Sequence, residues 1–303
     1  MTMLKRRILT GIFSLLFLIL APIIIFYANG TIMGDDWNIL ATGGVLVRSM
    51  ESGSQLFVNG KLKDITSFFT RDYFLKNLRP GVYTILVKKD NYNDWSNMIT
   101  VYPNKVVESI VFMLPKEINV TEIKKFIVED GLSSSSIKQT PKVNPNYEVI
   151  DALFSTSSLV KKYVSVLSTT TSTSTKYAIG TKENPIRNRH LLLWSEKDTA
   201  FLAWDGDIDS APKIFCKYIK DTIKCDSQLI VYSFETKIIN LDFFLGETEK
   251  ILVLMGDKIY AIEAEQNQNK KPQLLYKGKN PDFRVFNNII YIKDGVFLGQ
   301  AEI

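Results

Sequence analysis

An uncharged run near the N-terminus limits the possible folds of this chain more than any other part of its sequence. No residue from Ile8 to Tyr27 carries a charge, and most are Leu, Ile or Phe. About 20 such residues in a helix, rising about 1.5 Å each, match the roughly 30 Å hydrocarbon core of a bilayer. The run predicts a transmembrane helix that acts as an uncleaved signal anchor. A cleaved signal peptide is the alternative, although its apolar region usually has about 7 to 15 residues before a small-residue cleavage site.

Basic residues flank only one end of this run. Lys5, Arg6 and Arg7 precede it, whereas Asp35 and Asp36 follow it. Lysine- and arginine-rich flanks stay on the cytoplasmic side of a membrane. We therefore predict a single-pass membrane protein with a cytoplasmic N-terminus and an extracytoplasmic bulk.

Short alternating strands and turns follow the apolar run. The segment QLFV leads into Asn59-Gly60, which predicts a hairpin because a tight type I′ turn needs positive φ at both central residues. Pro80-Gly81 predicts a second turn before the alternating segment VYTILVKK. Several short strands at this spacing predict a small β-sandwich.

The same region carries a pattern of turn glycines, basic residues and aromatic residues. Its positions are Gly44-Val45-Leu46-Val47, Ser49, Gly53, Val58-Asn59-Gly60-Lys61, Leu78-Arg79-Pro80-Gly81, Tyr83, Val87-Lys88-Lys89, Tyr92 and Trp95. Together they resemble the PEGA domain, a small β-sandwich repeat of prokaryotic envelope proteins. The resemblance implies a place in the cell envelope and supplies no catalytic residue.

Two aromatic residues at the end of this pattern are ligand-binding candidates. Tyr92 and Trp95 could offer flat apolar faces, with Tyr83, on which a sugar ring stacks. The alternative is that Tyr83 and Trp95 close the core of the sandwich.

The pattern weakens in the region that follows. Thr121 as N-cap and Glu122 in the first turn predict a short helix. Serine- and proline-rich stretches predict a linker, and Ser168–Lys176 is of low complexity.

Near the C-terminus, two segments repeat each other. Asp242-Phe243 aligns with Asp282-Phe283, and Ile251-Leu252 aligns with Ile289-Ile290. A repeat of about 40 residues built from short strands is typical of a β-propeller blade. Fewer than the usual four or more blades fit the chain, so earlier residues complete the ring or the sheet stays open.

These patterns predict an all-β fold with one N-terminal transmembrane helix, in which a small PEGA-like β-sandwich precedes an incomplete or small β-propeller-like region. The predicted segments are a cytoplasmic basic tail (1–7), the transmembrane helix (8–27), a linker (28–42), the PEGA-like β-sandwich (43–115), a connecting region (116–186) and a blade-like β region (187–303).

The chain has two cysteines. Cys216 and Cys225 flank a short strand pattern, which favours a disulfide across a hairpin over two free thiols. His190 is the only histidine and no Cys-x-x-Cys pair occurs, so we predict neither a metal site nor a cofactor.

No catalytic constellation stands out in the sequence. A Ser-His-Asp arrangement could use only His190, for which a structural or exposed role is favoured. Phosphate-binding loops and Gly-x-Ser-x-Gly motifs do not occur. Asp205, Asp207 and Asp209 could serve a glycosidase or bind Ca²⁺, but a solvated acidic loop is the favoured interpretation.

We therefore predict a non-enzymatic, membrane-anchored envelope protein whose β-modules bind or scaffold polysaccharide or protein. A subunit of an envelope sensor or secretion complex is the alternative, and a hydrolase that uses the blade-like region is a further one. Formal net charge is +5, and three of these charges lie before Ile8. The remainder is too small to favour a nucleic-acid partner.

Overall fold

The structure, a computed structural model, consists mainly of β-strands, which contain 53% of the residues that it describes. It describes residues 3–28, 30–33, 38–49, 51–65, 71–127, 142–155, 180–219, 222–264 and 271–303. The chain divides into two compact units, the first made of Met1–Asp90 and Asp94–Met113 and the second of Asn91–Asn93 and Leu114–Ile303.

The N-terminal helix, α1, spans Met3–Ala28 and contains Pro22. A helix that crosses a bilayer needs about 20 consecutive apolar residues. Within the described residues, no helix is long and apolar enough to cross a membrane. The structure therefore contradicts the predicted transmembrane helix over 8–27 and, with it, the predicted single-pass location.

In its described residues, the first unit contains α1 and nine strands. The strands are β1 (Thr31–Met33), β2 (Ile39–Ala41), β3 (Gly43–Ser49), β4 (Gln55–Val58), β5 (Lys61–Ile65), β6 (Asp72–Leu78), β7 (Gly81–Lys88), β8 (Trp95–Val101) and β9 (Val106–Val111). They form a two-stranded sheet, β1-β2, a three-stranded sheet, β6-β3-β9, and a four-stranded sheet, β5-β4-β7-β8. All pairs are antiparallel except β3 with β9, which is parallel.

Alternating burial explains why these segments form strands with one covered face. Val45 and Val47 of β3 are fully buried while Arg48 is exposed. The predicted hairpin at Asn59-Gly60 is confirmed, because Val58 pairs with Lys61 and both turn residues have positive φ. The two-residue period of apolar side chains thus fixes which face of β3 is covered.

The second unit contains sixteen strands and a helix in its described residues. They are β10 (Asn119–Glu122), β11 (Phe126–Ile127), β12 (Lys142–Val143), α2 (Pro145–Phe154), β13 (Ile186–Asn188), β14 (Leu191–Glu196), β15 (Thr199–Trp204), β16 (Cys216–Ile219), β17 (Thr222–Cys225), β18 (Gln228–Ser233), β19 (Asn240–Phe243), β20 (Lys250–Met255), β21 (Lys258–Glu263), β22 (Gln273–Lys277), β23 (Pro281–Phe286), β24 (Ile289–Asp294) and β25 (Phe297–Glu302).

Three four-stranded antiparallel sheets form most of this unit. Their strand orders are β13-β14-β15-β18, β19-β20-β21-β22 and β10-β25-β24-β23, and the last sheet joins the early strand β10 to the final strand β25. Residues from the first two of these sheets share one apolar core. Helix α2 packs Ile150 and Leu153 against Tyr291 and Leu298 of the third sheet. Asn144 caps this helix, since its side chain accepts a hydrogen bond from the Asn146 N–H.

The predicted fold class needs correction beyond the transmembrane helix. Instead of a sandwich followed by a propeller-like region, the strands lie in several open sheets. The hairpin pattern of the first unit did not predict the parallel β3–β9 pair. Propellers typically close with four or more sheets, whereas the described part of the second unit has three four-stranded sheets. The two repeat copies do occupy equivalent strands, β19 to β21 and β23 to β25.

The short helix predicted at Thr121 is also wrong. Residues Asn119–Glu122 form β10 because they pair with β25, where Thr121 lies opposite Gln300. A tertiary strand partner therefore overrides the local helix signal. The low-complexity stretch Ser168–Lys176 lies outside the described residues.

Candidate functional site

The two aromatic candidates from the sequence lie in different units. Trp95 begins β8, is only 2% exposed and pairs with Val87. Its indole therefore packs in the core of the first unit. Tyr92 is half-buried and forms an isolated antiparallel bridge with Pro115 in the second unit.

The two cysteines lie directly opposite each other in the β16–β17 hairpin and form a disulfide. This bond closes the hairpin at the ends of both strands. Within the described residues, no group of three or more His, Cys, Asp or Glu side chains could hold a metal ion.

A charged surface with one half-buried tryptophan forms where β13 and β15 end. We call it the Trp204 surface, and it consists of Arg187, His190, Trp204, Asp205 and Asp207. Pairing of β14 with β15 brings its two chain segments together, because Leu191 lies opposite Trp204. The Asp205 N–H also donates a 2.9 Å hydrogen bond to the His190 carbonyl. Strand register therefore creates this surface from two separate turns.

The Asp205 carboxylate is the centre of the polar part of this surface. Arg187 donates a hydrogen bond to one carboxylate oxygen, and His190 Nδ1 lies 3.3 Å from the other. The hydrogen bond from Arg187, together with the charge of its guanidinium and the contact with His190, lowers the pKa of Asp205 against the opposing effect of burial. Asp205 is therefore held as an ionised acceptor whose orientation both partners fix.

The Trp204 indole is held from two sides. Its Nε1–H donates a 2.9 Å hydrogen bond to the Asp207 carbonyl, and its ring centroid lies 5.2 Å from that of His190. Gly206 lies so close beneath the ring that a Cβ there would come within 2.7 Å of an indole carbon. Asp207 in turn accepts a hydrogen bond from the Asp209 N–H at the start of a short 3₁₀ turn. The ring thus has a defined orientation at the surface.

An open cleft of about 330 Å³ is lined in part by the residues that follow Arg187 in the sequence. Its lining residues are Asn188, Arg189, Gly246, Glu247, Thr248 and Glu249. The Asn188 side chain donates a 3.0 Å hydrogen bond to the Gly246 carbonyl and so connects the end of β13 to the Phe244–Gly246 turn. Arg187 donates to the Arg189 carbonyl, so the cleft and the Trp204 surface share one turn.

A second polar cluster connects three elements inside the second unit. We call it the polar junction, and it consists of Asn240, Asp242, Asp282 and Arg284. The Asn240 side chain on β19 donates a 2.9 Å hydrogen bond to Asp282 on β23. Arg284 donates to the same Asp282 oxygen at 2.9 Å and, through Nε, to the Leu153 carbonyl of α2 at 3.2 Å. The junction therefore joins two sheets and a helix.

Asp242 is a titratable member of the junction, and its pKa is shifted from the ordinary value. Burial raises its pKa to about 6, against the opposing effects of a hydrogen bond from the Phe243 N–H and the positive charge of Arg284. The Phe243 N–H lies 2.7 Å from the Asp242 carboxylate. An acid with such a pKa changes its charge near neutral pH.

Some residues of both clusters stand out in the sequence, but the contacts between them could not be predicted from it. The sequence singled out His190 and the carboxylates Asp205 and Asp207, but not Arg187 or Trp204 as their partners. The aligned Asp-Phe pairs of the repeat fall on the polar junction, where they marked strand positions rather than contacts. The missing information is the strand register, which places distant turns side by side.

No known protein-family model matches the chain. Its sequence also matches no curated protein. The resemblance to the PEGA domain therefore stays a prediction.

Proposed function

We propose that this protein is non-enzymatic and that its β-sheet units bind or scaffold components of the cell envelope, polysaccharide or protein. The Trp204 surface is the proposed contact site. The observation that carries the proposal is an indole held at the surface beside an ionised carboxylate, with both orientations fixed by neighbouring groups. The resemblance to the PEGA domain supports the choice of the envelope.

The geometry of this surface suits recognition by contact. Aromatic rings provide a large apolar area with little loss of conformational freedom, while Asp and Arg beside them supply oriented hydrogen bonds. Arg187 and His190 are more than half exposed in their side chains, so a ligand can reach them. An arrangement of this kind costs little reorganisation on binding.

The test is co-sedimentation of the full-length chain with isolated bacterial cell-wall sacculi, with mass spectrometry of the proteins that pellet with it. We expect saturable pelleting, or capture of a defined envelope protein, that weakens by about tenfold or less on Trp204→Ala, in line with the loss of about 0.5 to 1.5 kcal/mol of aromatic contact. Phe126→Ala is the matched control, because Phe126 is an exposed aromatic residue of the same unit outside the surface.

A second variant guards against misfolding, because Trp204 also packs against the apolar core. Asp205→Asn keeps the shape of the side chain and removes its charge, so it should weaken binding while thermal unfolding shifts only slightly, because exposed ion pairs contribute little to stability. The proposed function would be refuted if the unmodified chain retained no envelope polysaccharide and no envelope protein. Binding that both variants leave intact would show that the Trp204 surface is not the contact site.

A further inference from the structure

The charges around the Trp204 surface narrow the class of ligand. Both signs occur close together, because the exposed Arg187 and Asp205 form an ion pair. Such a pair offers donors and acceptors side by side, as neighbouring hydroxyl groups of a sugar require. The indole N–H already donates to the Asp207 carbonyl, so the half-buried ring contributes only the exposed part of its apolar surface.

Carboxylates outnumber fixed cations in the surface and its adjoining cleft. The carboxylates are those of Asp205, Asp207, Glu247 and Glu249, and the cations are Arg187 and Arg189. Lys250 Nζ lies 2.6 Å from Glu247 Oε2, and its positive charge offsets that of this carboxylate at the rim of the cleft. The remaining excess of negative charge repels an anionic chain within a Debye length of about 8 Å at physiological salt.

We infer that the Trp204 surface and its cleft take an uncharged, hydroxyl-rich polysaccharide rather than an anionic polymer. This inference rests on the proposed function and names the ligand class for the same site. Stacking of a sugar face on Trp204 supplies the apolar contact, and the Arg187–Asp205 pair binds hydroxyl groups at its edge. The cleft accommodates the continuing chain beside Asn188 and Thr248.

Affinity electrophoresis of the full-length chain tests the inference. Native gels contain dextran, laminarin or hydroxyethyl-cellulose as uncharged polymers, and polygalacturonate as the anionic one. We expect retardation by at least one uncharged polymer and none by polygalacturonate. Asp205→Asn should reduce the retardation, whereas Asp257→Asn, an exposed carboxylate in the β20–β21 turn, should leave it unchanged.

The outcomes separate this inference from the function on which it rests. Retardation of the unmodified chain by polygalacturonate would refute the ligand class, while pelleting with sacculi would still support the proposed function. Pelleting with sacculi through Trp204, without retardation by any uncharged polymer, would also refute the class but keep the function. A chain that neither pellets, captures an envelope protein nor is retarded would refute both. Glu249→Gln, which removes one cleft carboxylate, should permit weak retardation by polygalacturonate if repulsion excludes it.

Discussion

Stability of the second unit should fall as Asp242 ionises. In the folded chain the pKa of Asp242 is about 6, whereas the ordinary value is 3.8. Between these values the folded state holds a proton that the unfolded state has released. The stabilisation is therefore fully present below about pH 4 and is lost as the pH rises through about 6.

The size of this effect follows from the shift in pKa. A difference of roughly two units, at about 1.4 kcal/mol each, corresponds to at most about 3 kcal/mol. Asp242 is only half-buried by its solvent exposure, so screening by water reduces the effect and we expect about 2 kcal/mol. Asp242→Asn keeps an acceptor oxygen for the Phe243 N–H and removes the charge. The pH-dependent loss should then disappear.

Urea unfolding between pH 4 and 7.5 measures the effect, with hydrogen exchange read by mass spectrometry on peptides from β19 and β23. Exchange in these peptides reports the second unit rather than the whole chain. We expect Asp242→Asn to be more stable than the unmodified chain by about 2 kcal/mol at pH 7.5, and to lose that advantage at pH 4. The control Asp257→Asn removes only a distant contact with Lys277 and should change stability by about 0.5 kcal/mol or less at every pH.

The unmodified chain must be compared with the Asp242→Asn variant, because the pKa values of other carboxyl groups are shifted in the opposite direction. The pKa values of Asp205 and Asp294 are lowered, by hydrogen bonds from Arg187 and from the Asn280 N–H respectively, so their contributions are lost as the pH falls. These contributions cancel in the difference between variant and unmodified chain. A difference that stays constant with pH, or grows toward pH 4, would refute the reasoning about Asp242.

Three further changes test the packing. Cys216→Ser opens the disulfide of the β16–β17 hairpin and should cost about 2 to 3 kcal/mol locally, seen as faster hydrogen exchange in that hairpin. Gly43→Ala should lower the thermal unfolding temperature of the first unit, because its methyl group would overlap the Tyr102 carbonyl and cost about 1 to 3 kcal/mol. Phe283→Ala empties a fully buried site and should cost about 3 to 5 kcal/mol in urea unfolding, against about 0.5 kcal/mol or less for the 98% exposed Val296→Ala.

Local strand chemistry was predictable from the sequence, whereas strand partners were not. Asn59-Gly60 specifies its own turn, since few residue pairs accept positive φ at both positions. The parallel pairing of β3 with β9 joins Gly44 to Val106, and no local pattern encodes it. Thr121 shows the opposite error, because its short polar segment suits a helix cap until β25 supplies a partner.

The candidate sites depend on the same non-local pairings. Arg187 meets Asp205 because β13, β14 and β15 are neighbours in one sheet, and Asn240 meets Asp282 because two sheets approach at the polar junction. The two residues of each contact lie far apart in the sequence, so no short motif contains both of them. A single-residue slip of β15 on β14 would move the Trp204 side chain to the other face of the sheet. The proposed binding surface is therefore a consequence of register, and variants that disturb the β14–β15 pairing should abolish binding even when every surface residue is retained.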